Sequence, residues 1–297
     1  MTRSTTRDVA SLETCRELLT HVSRTFALTI PLLNEPLRSE VGISYLICRM
    51  ADTIEDREDL TSQDRRWLFE ALETAVADPE SPEHAKALVA AWPPYADRHH
   101  HALMTHSAEV LGCFAGLRAS SRRSTLRCVR DMIEGMRAFA GAGTPERVHA
   151  ACPDLRALDA YCHAVAGTVG ILLTDLFASE LGSSWQTSER TEDGRRFGLG
   201  LQLVNILKDN AQDRARGVSY LPPDCLREGR LLNAARRSLV ARAVGHLDAA
   251  QRYVLSVPPE HTDMRIFCLI AHHLALATLR LVAGGTEPAK VDRASVA

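Results

Sequence analysis

The sequence has few of the features that mark β, disordered or nucleic-acid-binding proteins. Aromatic residues make up 5% of its 297 residues, with 17 Gly and 13 Pro, which argues against a many-stranded β fold. The formal net charge is −2, so the protein has no net positive charge to attract nucleic acid. A hydrophobic share of 45% excludes a disordered chain. We therefore predict a soluble, helical, globular protein that does not bind nucleic acid.

The sequence also lacks long apolar runs and clustered cysteines. The longest apolar stretch, residues 266–279, is interrupted by His272 and His273, so we predict no integral membrane segment. The first ten residues contain no apolar core typical of a signal peptide. The eight cysteines form no CxxC pair and are expected to be reduced thiols. These observations predict a cytoplasmic protein.

Helical periodicity covers nearly the whole chain and is interrupted only by short breaks. None of the breaks is rich in Ser and Gly, so we predict one all-α domain over residues 1–297, with a polar tail at about 286–297. The predicted helices are 8–22, 36–57, 62–77, 83–91, 97–118, 122–141, 155–180, 188–213, 233–255 and 262–283.

Two of these helices carry a narrow polar stripe on an otherwise apolar surface. At 100° per residue, Tyr45, Arg49, Asp52 and Asp56 fall within about 60° of one another. In the second helix the same spacing aligns four residues, Gln202, Asn205, Asp209 and Asp213. Each helix thus presents an Asp-x-x-x-Asp pair among apolar residues.

Carboxylates in apolar surroundings need compensating cations. Mg²⁺ takes few protein carboxylates and completes its octahedron with water and phosphate oxygens, so the two pairs favour a magnesium-bridged diphosphate. The alternative is that both are ordinary amphipathic helices whose acidic faces meet solvent and pair with arginine. The matching spacing in two helices favours the first interpretation.

These segments and their order resemble the squalene and phytoene synthase family. The first aspartate-rich region, the central helix, the second aspartate-rich region and the loop that closes it all have counterparts. They are residues 23–26 (SRTF), 52–56 (DTIED), 161–170 (YCHAVAGTVG), 202–213 (QLVNILKDNAQD) and 216–222 (RGVSYLP). The resemblance covers roughly residues 20–283.

The resemblance implies a single-domain isoprenoid-synthase helical fold, with a central cavity between the two aspartate-bearing helices. It also implies a Mg²⁺ cofactor and roles for individual residues. The implied metal-binding residues are Asp52, Asp56, Asp209, Asp213 and Asn205. The residues implied to contact diphosphate are Arg24, Tyr45, Arg49, Gln202, Asn205, Lys208, Arg216 and Tyr220. Tyr161 would act as a catalytic residue with the four aspartates, and Phe26, Val165 and Val169 would line a prenyl channel.

The implied activity is Mg²⁺-dependent ionisation of an allylic prenyl diphosphate, followed by head-to-head condensation with a second one through a cyclopropyl intermediate. NADPH would be needed only if the product is squalene. The sequence departs from the family pattern at two positions, which leaves the identity of the prenyl acceptor open. Gln212 stands where Glu is common, and Lys208 replaces a bidentate Arg. One alternative is transfer to an aromatic natural product, for example a carbazole-like ring; another is a non-catalytic helical scaffold.

A run of three histidines, His99 to His101, followed by His106, suggests a transition-metal site. Consecutive histidines point in different directions around a helix, so only a longer-range partner could complete a chelate. We therefore expect no metal site there.

Overall fold

The computed structural model describes residues 6–23, 25–57, 59–141 and 147–285, with side chains from residue 10 onward. This part of the chain is all-α, as predicted. The helices are α1 Thr6–Val22, α2 Phe26–Thr29, α3 Leu37–Glu55, α4 Ser62–Ala77, α5 Pro82–Ala91, α6 Arg98–Thr105, α7 Ser107–Ala115, α8 Ala119–Phe139, α9 Leu155–Cys162, α10 Thr168–Leu181, α11 Ser188–Ala215, α12 Asn233–Ser256 and α13 Thr262–Ala283.

The strands are two residues long and form two small ladders. Strand β1 (His149–Ala150) pairs in parallel with β2 (Val218–Ser219). Strand β3 (Leu226–Arg227) pairs antiparallel with β4 (Arg230–Leu231) in the segment between α11 and α12. Ladders of this size leave the fold class unchanged.

The chain divides into two compact units. The first consists of residues 1–133 and 175–185, and the second of residues 134–174 and 186–297. In the first unit α3 contributes Ile43, Leu46, Ile47 and Met50 to the core. In the second, the core includes Tyr253 of α12, which is fully buried. The single domain expected for residues 1–297 stays a prediction, and the polar tail at 286–297 lies outside the described residues.

All ten predicted helices are present, but two are not continuous. The helix predicted over 97–118 breaks at His106, where φ is −99° and ψ 17°, between α6 and α7. The helix predicted over 155–180 contains a π turn, His163–Gly167, between α9 and α10. The amide of Thr168 donates to the carbonyl of His163, five residues back, which gives the wider turn.

The cysteine prediction is confirmed in its structural part, because none of the eight cysteines forms a disulfide and seven are buried. The prediction that the chain has no membrane segment is neither confirmed nor contradicted. Two helical segments, Leu155–Leu181 and Thr262–Ala283, are long and apolar enough to cross a membrane, although core helices of soluble proteins share those properties. The absence of a membrane segment and the cytoplasmic location therefore stay predictions.

In the second unit, α11 packs against the π turn through glycine. A Cβ on Gly198 would overlap the carbonyl oxygen of Ala166, and a Cβ on Gly170 would overlap that of Gly194. Both obstacles are backbone atoms, which cannot rotate away. Glycine at these positions lets the backbone of α11, which carries Asp209 and Asp213, approach the central helix closely.

We expect Gly198→Ala to lower the free energy of unfolding by about 1–3 kcal/mol, because the added methyl group must force two backbones apart. The control is Gly245→Ala in α12, where the nearest heavy atom would be 3.8 Å from the new Cβ. That change should be neutral or stabilising by up to about 1 kcal/mol. Urea unfolding of both variants measures the difference, and equal effects would contradict the packing argument.

Candidate active site

The first aspartate region lies on α3, which is buried on nearly every side. The apolar residues fix the helix in the core, and the polar stripe is its partly accessible face. Asp52 lies one turn before the helix end, and the amide of Asp56 donates to the Asp52 carbonyl at 2.8 Å. The carboxylates of this pair therefore sit at the end of a rigid element.

Arg49 and Asp52 form a charged pair on this stripe. Arg49 Nη1 donates to Asp52 Oδ2 at 3.3 Å. Burial raises the pKa of Asp52 to about 6; Arg49 opposes this shift and Asp56 adds to it. Burial alone would lower the pKa of Arg49, but the charges of Asp52, Tyr45 and Asp56 and the hydrogen bond to Asp52 together outweigh it, so the pKa is raised. A bound cation would further favour ionised Asp52.

Arg49 also has a donor available for a ligand. Its Nε is buried and has no hydrogen-bond partner among the described residues. A buried guanidinium nitrogen without a partner costs free energy unless an acceptor arrives. An oxygen of a bound anion would supply that acceptor.

Phe26 packs against Tyr45, the first residue of this stripe. Their ring centroids are 5.2 Å apart, and Tyr45 Oη donates to the carbonyl oxygen of Val22 at 3.5 Å. Burial raises the pKa of the Tyr45 phenol, which stays a hydrogen-bond donor. Phe26, Tyr45, Arg49 and Asp52 all lie in the first unit, and their roles stay predictions. Arg24 lies outside the described residues.

Arg57, which the sequence analysis did not single out, anchors the segment just after α3. Its side chain is only 2% exposed and lies against the rings of both Trp92 and Tyr95, at 4.6 and 4.7 Å from their centroids. It donates to the carbonyls of Pro93 and Pro94 at 2.8 and 2.6 Å and holds Asp59 with two hydrogen bonds. Arg57 thereby fixes the backbone beside Asp56.

The three consecutive histidines point to three different partners, as expected from helix geometry. His99 stacks on His21 with centroids 4.7 Å apart. His101 Nδ1 accepts from Trp92 Nε1 at 3.1 Å. His100 faces Arg49, with 2.9 Å between Nε2 and Nη2. Within the described residues, no group of three or more His, Cys, Asp or Glu side chains could hold a metal ion, at these histidines or elsewhere.

The second aspartate region lies on α11 in the second unit. Lys208 Nζ is 3.0 Å from Asp209 Oδ2 and donates to Asn205 Oδ1 at 3.3 Å. Arg216 Nη2 donates to the buried Asp213 at 2.6 Å. Of the two departures noted in the sequence, Lys208 keeps a positive charge beside Asp209, whereas Gln212 removes a negative charge from the segment. Gln202 is half-buried on the same helix.

Tyr161 belongs to an aromatic cluster in the second unit. It is buried, stacks on Tyr220 with centroids 4.5 Å apart, and meets Phe139 edge-on at 5.5 Å. Tyr220, expected at the diphosphate, thus packs one ring face against a face of Tyr161. Of the predicted channel residues, Val165 lies in the π turn and Val169 lies in the first turn of α10.

The donor set fits magnesium better than a metal held by protein ligands alone. Each aspartate pair supplies two carboxylates, and Mg²⁺ uses one or two while water and substrate phosphates fill the remaining positions. Asp52, Asp209 and Asp213 each contact a basic side chain. Residues that would hold Mg²⁺ are therefore already surrounded by groups that would bind a diphosphate. The metal roles and the implied central cavity stay predictions.

Known proteins can now be compared with this arrangement. The model of the family described as squalene/phytoene synthase matches residues 19–296. The chain belongs to the squalene/phytoene synthase family. Rat squalene synthase is 26% identical over 283 residues, which are 91% of this chain and 63% of the rat protein. The chain thus spans less than two thirds of the length of that relative.

Solved structures in the same family share the fold. A complex of TcSQS with the ligand BPH1237 has a TM-score of 0.77 and 24% identity, covering 97% of this chain and 84% of the other. A dehydrosqualene synthase with bound ligand has a TM-score of 0.68 and 18% identity, covering 97% and 93%. The resemblance noted from the motifs is confirmed, and with it the fold class.

Proposed function

We propose that this squalene/phytoene synthase family member is a Mg²⁺-dependent prenyltransferase. It ionises an allylic prenyl diphosphate and condenses the product head to head with a second prenyl diphosphate. The observation that carries the proposal is the family match over residues 19–296 with all four motif aspartates present. The squalene synthases among its relatives and a dehydrosqualene synthase among its structural neighbours support this class of reaction.

In this proposal the basic residues bind the diphosphate oxygens. Arg49 offers its buried Nε, Lys208 a flexible ammonium group, and Arg216 a guanidinium beside Asp213. Mg²⁺, held by Asp52, Asp56, Asp209, Asp213 and Asn205, would supply positive charge as the leaving group develops negative charge. Tyr45, Gln202 and Tyr220 would add hydrogen bonds to the same group, as would Arg24.

Ionisation breaks the bond between allylic carbon C1 and its oxygen, and the electron pair leaves with the diphosphate. The second isoprenoid's double bond then attacks the cation, and loss of a proton closes the cyclopropyl ring. The Tyr161 ring would stabilise positive charge on carbon, and its hydroxyl would move a proton. Phe26, Val165 and Val169 would contact the prenyl chain.

We expect Tyr161→Phe to keep most of the cation stabilisation and to lose about 100-fold in kcat with the hydroxyl that moves a proton, while Tyr161→Leu loses about tenfold more. The difference in kcat between the two variants separates the contribution of the aromatic ring from that of the hydroxyl, and steady-state kinetics measure it. Phe139→Leu, which alters only the edge contact to Tyr161, is the matched control. Equal losses in Phe and Leu variants would assign the role to the hydroxyl alone.

Product analysis tests the proposed reaction. Purified protein is incubated with farnesyl or geranylgeranyl diphosphate and Mg²⁺, with and without NADPH, and the extracted hydrocarbons are identified by mass spectrometry. A C30 or C40 head-to-head product supports the proposal. A saturated central bond formed only with NADPH would mark squalene as product and NADPH as cosubstrate.

The other outcomes identify the alternatives. Pyrophosphate release that requires an added aromatic compound would replace the second prenyl diphosphate by an aromatic acceptor. No turnover with any combination, together with no Mg²⁺-dependent binding of pyrophosphate, would favour the non-catalytic scaffold and overturn the proposal.

A further inference from the structure

We propose that His100 is a positioning residue that orients Arg49 toward the substrate diphosphate while leaving the positive charge of Arg49 intact. The inference rests on the proposed function and deepens it, because it explains how one diphosphate-binding side chain is held. It assigns a role to one of the three consecutive histidines. All residues involved lie in the first unit.

The arrangement begins at Asp97, which caps the N-terminus of α6. Its Oδ1 accepts from the backbone amides of His99 and His100 at 2.9 and 3.1 Å. Its Oδ2 lies 3.0 Å from His100 Nδ1. Both oxygens are therefore occupied, and the carboxylate is fixed by backbone groups rather than by mobile side chains. Burial would raise the pKa of Asp97, but its contacts with His100 and the amide of His99 together outweigh burial and lower the pKa, which favours the ionised carboxylate.

These contacts determine the tautomer of His100. An ionised carboxylate only accepts hydrogen bonds, so His100 Nδ1 must carry the proton that faces Asp97. A guanidinium only donates, so His100 Nε2 must accept from Arg49 Nη2 across 2.9 Å. The ring is neutral with its proton on Nδ1, and both of its nitrogens are used. A carboxylate orients the imidazole, which in turn orients the arginine.

A histidine suits this position because it accepts a hydrogen bond without adding negative charge. Arg49 already contacts Asp52 through Nη1 at 3.3 Å. A second carboxylate at position 100 would cancel the charge that a diphosphate needs. With Nη1 and Nη2 held, the buried Nε, which has no partner among the described residues, keeps a fixed direction. Fixing the donor before the substrate binds lowers the entropy cost of binding.

Three variants and one reference test this role. His100→Ala removes the acceptor, His100→Gln restores a neutral acceptor that can also donate to Asp97, and His99→Ala alters the adjacent ring that stacks on His21 instead. Arg49→Ala defines the full effect of losing the guanidinium. Thermal unfolding of each variant confirms that it is folded.

The first readout is binding of inorganic pyrophosphate in the presence of Mg²⁺, measured by calorimetry, so that no turnover is needed. We expect His100→Ala to raise Kd about tenfold, the loss typical of one charge-assisted hydrogen bond. His100→Gln should recover most of that loss, and His99→Ala should leave Kd unchanged. Where turnover is measurable, the His100→Ala effect should fall on KM more than on kcat, a split that a general loss of structure would not give.

The outcomes separate this inference from the proposed function. If Arg49→Ala weakens pyrophosphate binding but His100→Ala does not, the positioning role is wrong and the diphosphate site stands. If neither weakens binding, Arg49 is not at the diphosphate and both assignments are overturned. Nitrogen NMR of the labelled imidazole gives an independent signature: a proton on Nδ1 of His100 supports the inference, and a proton on Nε2 overturns it.

Discussion

Replacing Asp52 by Asn, or Asp209 by Asn, should lower turnover of a prenyl diphosphate by about 10³-fold or more. Each change keeps the shape of the side chain but removes one negative charge next to a basic residue, Arg49 or Lys208. Bound Mg²⁺ would lose a ligand, and weaker Mg²⁺ binding would deprive the leaving diphosphate of the positive charge that stabilises it. Steady-state release of pyrophosphate measures the effect.

Two exposed aspartates provide matched controls. Asp131→Asn in α8 and Asp248→Asn in α12 make the same chemical change, one in each unit, at exposed positions. Both should keep activity within about twofold. Raising the Mg²⁺ concentration should partly restore the Asp52 and Asp209 variants but leave the controls unaffected. Full activity in either Asp52→Asn or Asp209→Asn would contradict the assigned metal roles.

Arg57→Ala should lower the free energy of unfolding of the first unit by about 2–4 kcal/mol. The variant leaves a cavity beside Trp92 and Tyr95 and removes the donors to the carbonyls of Pro93 and Pro94. Two cation–π contacts are lost at the same time. Arg57→Lys should cause a smaller loss, since an ammonium cannot reproduce the planar guanidinium contacts.

Tryptophan fluorescence during urea unfolding measures this effect, because all three tryptophans of the chain lie in the first unit. Arg66→Ala on α4 is the control, since Arg66 is exposed, and it should change stability by less than about 0.5 kcal/mol. An Arg57→Ala protein as stable as the control would show that Arg57 does not hold the end of α3.

Local patterns in the sequence predicted the helices and the polar stripes well. Because side chains on a helix recur every 3.6 residues, the spacing of Tyr45, Arg49 and Asp52 was enough to place them on one face of α3. The contact between Arg49 and Asp52 confirms that shared face. The resemblance of the motifs to a known family then gave the fold.

Long-range and backbone features could not be predicted in this way. Arg57 binds the carbonyl of Pro93, 36 residues away in sequence, and His100 contacts Arg49, 51 residues away, and no periodic pattern connects these pairs. The contact between Asp97 and His100 was not predicted either, although His100 follows Asp97 by only three residues. The π turn at His163 depends on hydrogen bonds that side-chain spacing does not reveal. The close approach at Gly198 was also not predicted, because it depends on which backbone the fold brings beside α11.

A crystal structure with Mg²⁺ and a non-reactive farnesyl thio-diphosphate would locate the metal ions and the diphosphate in one experiment. We expect metal ions on the carboxylates of Asp52, Asp56, Asp209 and Asp213, with Arg49 Nε donating to a diphosphate oxygen. His100 should keep its contact with Arg49 in that complex. A diphosphate bound away from Arg49, with Asp52 and Asp209 holding no metal, would overturn the proposed metal and diphosphate sites.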